Sequence, residues 1–311
     1  MRIAIFGVGG AGGYFAAQLV KAGKDVVFIA RGEHLQAICE NGLCVSTPQG
    51  EMLVQPRIAT DDPEQAGIVD SVILGVKAEH VCNVAQTLGP MLGTDSFVVP
   101  LQNGVEAAPS LSSVLGQKHV VAGLCGTVSF VTAPGHIRSL GDVNFIRFGE
   151  LDNRASARTA ALRRAFDDAG VNAEIPDNIH KALWEKFLMV VSVGGVAALA
   201  GQPIGVIREQ QQSRRLLELC MREILTLAVA RGIPLEDSIV ASTMRLVDSL
   251  PAEGTASLQR DLAAGKPSEL EAWNGAVVRL AGASGVSVPV NEHIYRSLLP
   301  QEHNARNATK A

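Results

Sequence analysis

The sequence predicts an α/β fold in its first part and an all-helical arrangement in its second. Three observations predict it. Short β-branched runs alternate with helical patterns from the first residues onward. A glycine-rich turn joins the first strand to the first helix. From Ile179 the strand signal nearly vanishes while the helical patterns lengthen. A chain of 311 residues has room for two domains, and the change of texture places the boundary between them at 1–177 and 178–311.

The elements follow in order. "RIAIFG" is a strand, and "GVGGAGGYFAAQLVKAG" is a turn and helix that closes on Gly23. "DVVFIAR" is the second strand. "DSVILGVK" and "SFVVPLQNG" are almost wholly apolar, as strands of a parallel sheet covered on both faces must be. Between 119 and 150 several shorter strands are expected to extend that sheet. "ASARTAALRRAFDDAG" is a helix with a glycine stop, and "VNAEIPDN" a last strand and linker. Helices are then expected over 179–202, 211–232 and 268–284, with a polar tail, "QEHNARNATKA", that frays.

Composition narrows the function. Apolar residues make up 47% and charged residues 19%, ordinary for a globular protein. A net charge of −4 without a basic block argues against nucleic-acid binding. The five cysteines, at 39, 44, 82, 125 and 220, form no CxxC, which suits reduced cytosolic thiols and neither a disulfide framework nor a metal site. Met-Arg and the apolar run after it could open a signal peptide, but the regular glycines and the lack of a cleavage site argue for a cytoplasmic chain. Phe187 to Ile207 is uncharged and long enough to span a membrane. Gly194, Gly195, Gly201, Gln202 and Pro203 interrupt it, so a buried core helix is expected instead, with no membrane partner.

The chemistry begins at Gly7-x-Gly9-x-x-Gly12. Glycines at this spacing give a tight turn, close approach to a pyrophosphate and tight helix–strand packing. Lying between strand and helix, they predict a Rossmann-type dinucleotide-binding domain. At the end of the second strand, where an acid would take ribose hydroxyls, stands Arg31. Arginine would pair with a 2′-phosphate, so the expected cofactor is NADP(H).

The chain resembles the ketopantoate reductase (2-dehydropantoate 2-reductase) family over essentially its whole length. The resemblance is carried by "IAIFGVGGAGG", Arg31 in "FIARG", "LGVKAEHV", "LQNGVE", "APGHI", "LWEKF" and "SLQRDLAAGKPSELEAWNG". It implies a Rossmann-type domain followed by an all-helical one, with the substrate between them. It also implies NADPH-dependent reduction of a 2-oxo acid to a 2-hydroxy acid: foremost 2-dehydropantoate to pantoate in pantothenate biosynthesis, and as alternatives a more apolar 2-oxo acid or, less favoured, a non-catalytic NADP(H) sensor. The only partner it requires is that small molecule; a homodimer is compatible with it.

Lys77 and Asn103 each follow a strand at the carboxyl edge of the sheet, where ligands of open α/β sheets bind. By resemblance Lys77 faces the cofactor, and Asn103 serves both cofactor and catalysis. Lys186 has helical neighbours Ala182, Leu183, Val190, Val193 and Gly194, so its face is apolar. Desolvation makes a lysine a better proton donor near neutral pH, and the resemblance makes Lys186 the general acid. Lys181 stands four residues before Glu185 and is expected to pair with it at the surface. "KPSELE" is expected to be a capping box, Ser268 with Glu271. By resemblance Glu269 is a catalytic and substrate-binding residue and Ser257 a substrate-binding one. One departure is visible: many family members carry asparagines four and eight residues after the lysine, where this chain has Val190 and Gly194. Ser192 points about 120° away from Lys186 and is no replacement.

Overall fold

The computed structural model describes residues 1–140 and 143–310, the side chains at 309 and 310 excepted. Two compact units result: Met1–Gln102 with Ala107–Ile179, and Asn103–Glu106 with His180–Ala311.

The first unit is built on a five-stranded sheet. Its strands are β1 (Arg2–Phe6), β2 (Asp25–Ile29), β5 (Ile58–Thr60), β6 (Val69–Leu74) and β7 (Leu92–Pro100), in the order β5-β2-β1-β6-β7. Every pairing in it is parallel. The order reverses at β1, with β2 on one side and β6 on the other, and the ends of β1 and β6 therefore flank a switch point. Helix α1 (Gly10–Lys21) follows β1, and α2 (Gly32–Asn41) follows β2. Gly23, at φ 72°, takes the left-handed turn that ends the first crossover. Phe15, Leu19, Phe28, Phe97, Phe148 and Phe166 pack in one core. Burying an aliphatic or aromatic side chain of this kind stabilises by about 1.5–3 kcal/mol.

The shorter strands do not extend this sheet as expected. The hairpin β3 (Leu43–Thr47) and β4 (Gly50–Val54) joins β9 (Ser129–Ala133) and β10 (His136–Ser139) in a separate sheet, β4-β3-β10-β9. A third sheet, β12-β11-β8, combines β8 (Val121–Gly126), β11 (Phe145–Glu150) and β12 (Asn172–Glu174). A parallel bridge between Val98 and Val120 links it to the main sheet. Gly141 and Asp142, inside the stretch expected to be strands, lie outside the described residues. Three further helices lie between or after these strands: α3 (Pro63–Ala66), α4 (Val81–Ala85) and α5 (Ala107–Leu115). The last helix of the unit is α6 (Ala157–Asp168), capped by the Ser156 hydroxyl on Thr159 N–H.

The second unit is helical: α7 (Ile179–Ala200), α8 (Ile204–Glu209), α9 (Gln211–Ala230), α10 (Ser238–Ser249), α11 (Ser257–Ala263), α12 (Ala276–Ser284) and α13 (Pro289–Lys310). A π-helical turn, Glu271–Gly275, precedes α12. The uncharged stretch forms most of α7, turns at Gly201 (φ 63°) and continues as α8. Of the membrane-length window in α7, 61% is buried within the protein, as a core helix requires. Phe187, Leu188 and Val191 of α7 pack with Leu217, Met221 and Ile224 of α9 and with Trp273, Ile294 and Leu298.

The tail is a correction. Where fraying was expected, the described residues are helical: α13 runs on through Pro300 to Lys310, with Glu302 and Ala305 each only 3% exposed. Its polar sequence hid the purpose of Glu302, which is to bond Ser268 rather than water.

Candidate active site

The glycine loop follows from how closely its neighbours approach. Gly7 has φ 94°, and a Cβ on it would stand 2.8 Å from Val76 Cγ1. A Cβ on Gly12 would meet the Gly7 carbonyl oxygen at 2.1 Å. Gly9, the N-cap of α1, is the contrast: nothing lies within 4 Å of the position of its Cβ. Two glycines are thus demanded by packing, and the third leaves open space at the start of a long helix whose first turn carries no acid. That combination fits a pyrophosphate, because α1 presents unpaired N–H groups and a positive dipole end there.

Two side chains that sequence reasoning passed over fix this edge of the sheet. His34 on α2 accepts the Gly135 N–H at Nδ1 (3.0 Å), which leaves Nε2 to donate to the Val8 carbonyl (2.7 Å). It pins the loop from outside. Gln102, 6% exposed, donates from Nε2 to the carbonyls of Leu74 (2.9 Å) and Val76 (2.8 Å). It holds the stretch that delivers Lys77, which is exposed three residues past the end of β6. Only the adjacency of Gln102 to Asn103 in "LQNG" could have signalled it. Arg31 is exposed as the N-cap of α2, beyond the end of β2. It and the Gly7–Gly12 loop both lie at carboxyl ends of strands in the same parallel sheet.

In the second unit the short segment Asn103–Glu106 joins the helices. Gly104, at φ 115°, turns the chain, and a Cβ there would stand 3.2 Å from the Ala272 carbonyl oxygen. Val105 packs on the helical core, and Glu106 pairs with Arg279 at 2.8 Å. The Asn103 amide thereby reaches Glu269 Oε2, donating at the long distance of 3.5 Å. Lys186 is half-buried on α7, between buried Trp184 and Phe187 and with Val190 and Val193 packed on the core. Ser257 opens α11 and is half-buried. The structure thus brings Asn103 and Glu269 into contact and places Lys186 and Ser257 on other elements of the same unit. Lys181, expected beside Glu185, reaches Glu236 at 3.5 Å.

The expected capping box is built differently. Ser268 Oγ does accept the Leu270 N–H (3.2 Å). The reciprocal carboxylate is not Glu271 but Glu302 of α13, which accepts the Ser268 N–H at 3.0 Å and its hydroxyl at 2.5 Å. Arg306 closes the cage, at 2.6 Å from Glu302. Glu271 instead bonds Arg279 and accepts the Tyr295 hydroxyl at 2.6 Å. Burial, and then Glu271 beside it, push the Tyr295 pKa up to about 12, so the phenol stays protonated and donates. Glu269 thus sits between a buried anchor at Ser268 and the π-helical turn. Ser192 is fully buried beside Cys220, a thiol whose pKa burial pushes up to about 12.

Comparison with known proteins bears on the family and the fold. Residues 3–153 match the family model "Ketopantoate reductase PanE/ApbA", and residues 178–302 match its C-terminal counterpart. A 2-dehydropantoate 2-reductase of Halobacterium salinarum is 30% identical over 292 residues, covering 93% of this chain and 95% of its own. An uncharacterized oxidoreductase of Bacillus subtilis, YkpB, is 27% identical over 96% of this chain and 98% of its own. The crystal structure of a PanE/ApbA family ketopantoate reductase from Ralstonia eutropha JMP134 superposes with a TM-score of 0.90 at 31% identity, covering 98% of this chain and all of that one. With both of its units matched, the chain belongs to the ketopantoate reductase family, and it is an oxidoreductase of the nicotinamide dinucleotide-dependent kind.

Proposed function

We propose that this protein reduces a 2-oxo acid to the 2-hydroxy acid with NADPH. The observation that carries the reading is the Asn103–Glu269 contact. Two polar side chains 166 residues apart in sequence meet at 3.5 Å, in the unit that also holds Lys186 on an apolar helix face. The reduced nicotinamide, when bound, supplies the hydride that reaches C2 of the oxo acid. The remaining work falls to side chains. The loop from Gly7 to Gly12 and the first turn of α1 receive the pyrophosphate. Arg31 pairs with the 2′-phosphate, and Lys77 faces the cofactor from the end of β6. Lys186 gives its proton to the carbonyl oxygen as negative charge develops there. Asn103 aligns the carbonyl, and Glu269 and Ser257 orient the rest of the molecule.

Two oxo acids are candidates, and one is the substrate named for the Halobacterium relative, 2-dehydropantoate. A more apolar 2-oxo acid is the second, favoured by Val190 and Gly194 in place of polar residues along the lysine's helix. The test is NADPH oxidation over a panel of 2-oxo acids that includes 2-dehydropantoate. Turnover of at least one, with NADPH strongly preferred to NADH, is expected. NADPH binding without turnover of any panel member would instead favour a sensor.

A further inference from the structure

The face of α7 that carries Lys186 continues through Val190, Val193 and Gly194, and none of these brings a polar side chain. At Gly194 the space is already taken. A Cβ there would stand 2.3 Å from Trp273 Cζ3 and 2.9 Å from its Cε3. Trp273 is 2% exposed and belongs to the π-helical turn Glu271–Gly275. Such turns rotate the residues they carry relative to a regular helix. This one is firmly held. Asn274 is fully buried and donates to Asn291 at 3.2 Å. A Cβ on Gly195 would come within 2.8 Å of the Asn274 amide. The neighbouring glycines of α7 therefore make room for two side chains of the turn, an indole and an amide. The same turn begins two residues after Glu269, and the same helix carries Lys186.

We propose that Trp273 sets the substrate preference of this site. By filling the volume beside Gly194 it keeps that position without a side chain and leaves the lysine face of α7 apolar. The enzyme then favours a 2-oxo acid with a branched, unfunctionalised aliphatic side chain over the same acid carrying a terminal hydroxyl. The inference rests on the 2-oxo acid reading above. A hydroxyl laid along Val190, one helical turn from Lys186, exchanges its hydrogen bonds to water for contact with carbon, which is unfavourable. A methyl group in its place loses nothing. The indole's own polar atom, Nε1, is itself buried and is not presented to a ligand.

The experiment compares kcat/KM for 2-dehydropantoate and 3,3-dimethyl-2-oxobutanoate, which differ by one hydroxyl. Wild type, Gly194→Asn, Trp273→Leu and the double variant are measured together with their melting midpoints. Wild type is expected to favour the hydroxyl-free acid. Gly194→Asn alone should melt lower, because the amide meets the indole. The double variant should melt above Gly194→Asn and shift the ratio toward 2-dehydropantoate by about tenfold or more. Val190→Asn, which leaves the indole in place, should move the ratio the same way and decides the question if the double variant fails to fold. A wild type that prefers 2-dehydropantoate, ratios unchanged by these variants, or a Gly194→Asn that melts like wild type would overturn the inference and leave the 2-oxo acid reading standing. Failure of wild type to reduce these or any other 2-oxo acid would overturn that reading itself.

Discussion

On the proposed reading, Arg31 is the position that chooses the cofactor. It follows β2 with its side chain exposed, where an acid would select NADH and a cation selects the 2′-phosphate. Removing one charge-assisted contact costs on the order of 1.5–3 kcal/mol. Arg31→Ala should therefore weaken NADPH binding by that amount while NADH binding changes little, as titration with each dinucleotide would show. An unchanged NADPH preference would assign the selection to another residue. That Gly7, Gly9, Gly12, Arg31 and Lys77 follow strand ends could be read in the sequence, because the strands before them are local patterns. His34 and Gln102 could not. Their partners, Gly135, Val8, Leu74 and Val76, are brought to them by sheet topology and not by any local pattern.

Among elements, α7 and α13 behave oppositely as sequence signals. The apolar run of α7 announces its burial, and the helix lies in the core. The stretch after Pro300 is polar and yet helical to Lys310, where Glu302 is bonded to Ser268 and Arg306. A pattern of charges does not reveal a carboxylate that turns inward. The same bond explains why the capping box was legible only in half: Ser268 keeps its role and Glu302 supplies the acid. Glu302→Ala leaves the Ser268 N–H and the Arg306 guanidinium without this partner. The loss should be on the order of 3 kcal/mol, seen as a lower urea midpoint. KM for the oxo acid should rise too, since Glu269 follows Ser268 directly. A variant as stable as wild type would show that the cage contributes nothing.

At the scale of the whole molecule, the succession of an α/β part and a helical part was legible because the strand signal gives way to helical patterns near residue 178. The membership of Asn103–Glu106 in the helical unit was not legible, because it depends on Arg279, Ala272 and Glu269, far away in sequence. Acid stability also belongs to this scale. Burial pushes the Glu150 pKa up, but bonds from Arg158 and Ser156 outweigh it and hold the carboxyl below its ordinary value. A depressed folded-state pKa contributes stability above the unfolded value, about 4.3, which is lost as pH falls through the folded one. Unfolding midpoints should accordingly fall below about pH 4.3, and Glu150→Gln should flatten that fall; an identical slope would remove Glu150 from the explanation. On the proposed reading dinucleotide binding belongs to the first unit and proton transfer to Lys186 in the second, and Lys186→Ala separates the two when kcat and NADPH affinity are measured on the same preparation. A fall in kcat of roughly 10²–10⁴-fold is expected, with NADPH affinity close to wild type. A small change in kcat accompanied by a large loss of NADPH affinity would contradict it and make Lys186 a cofactor ligand.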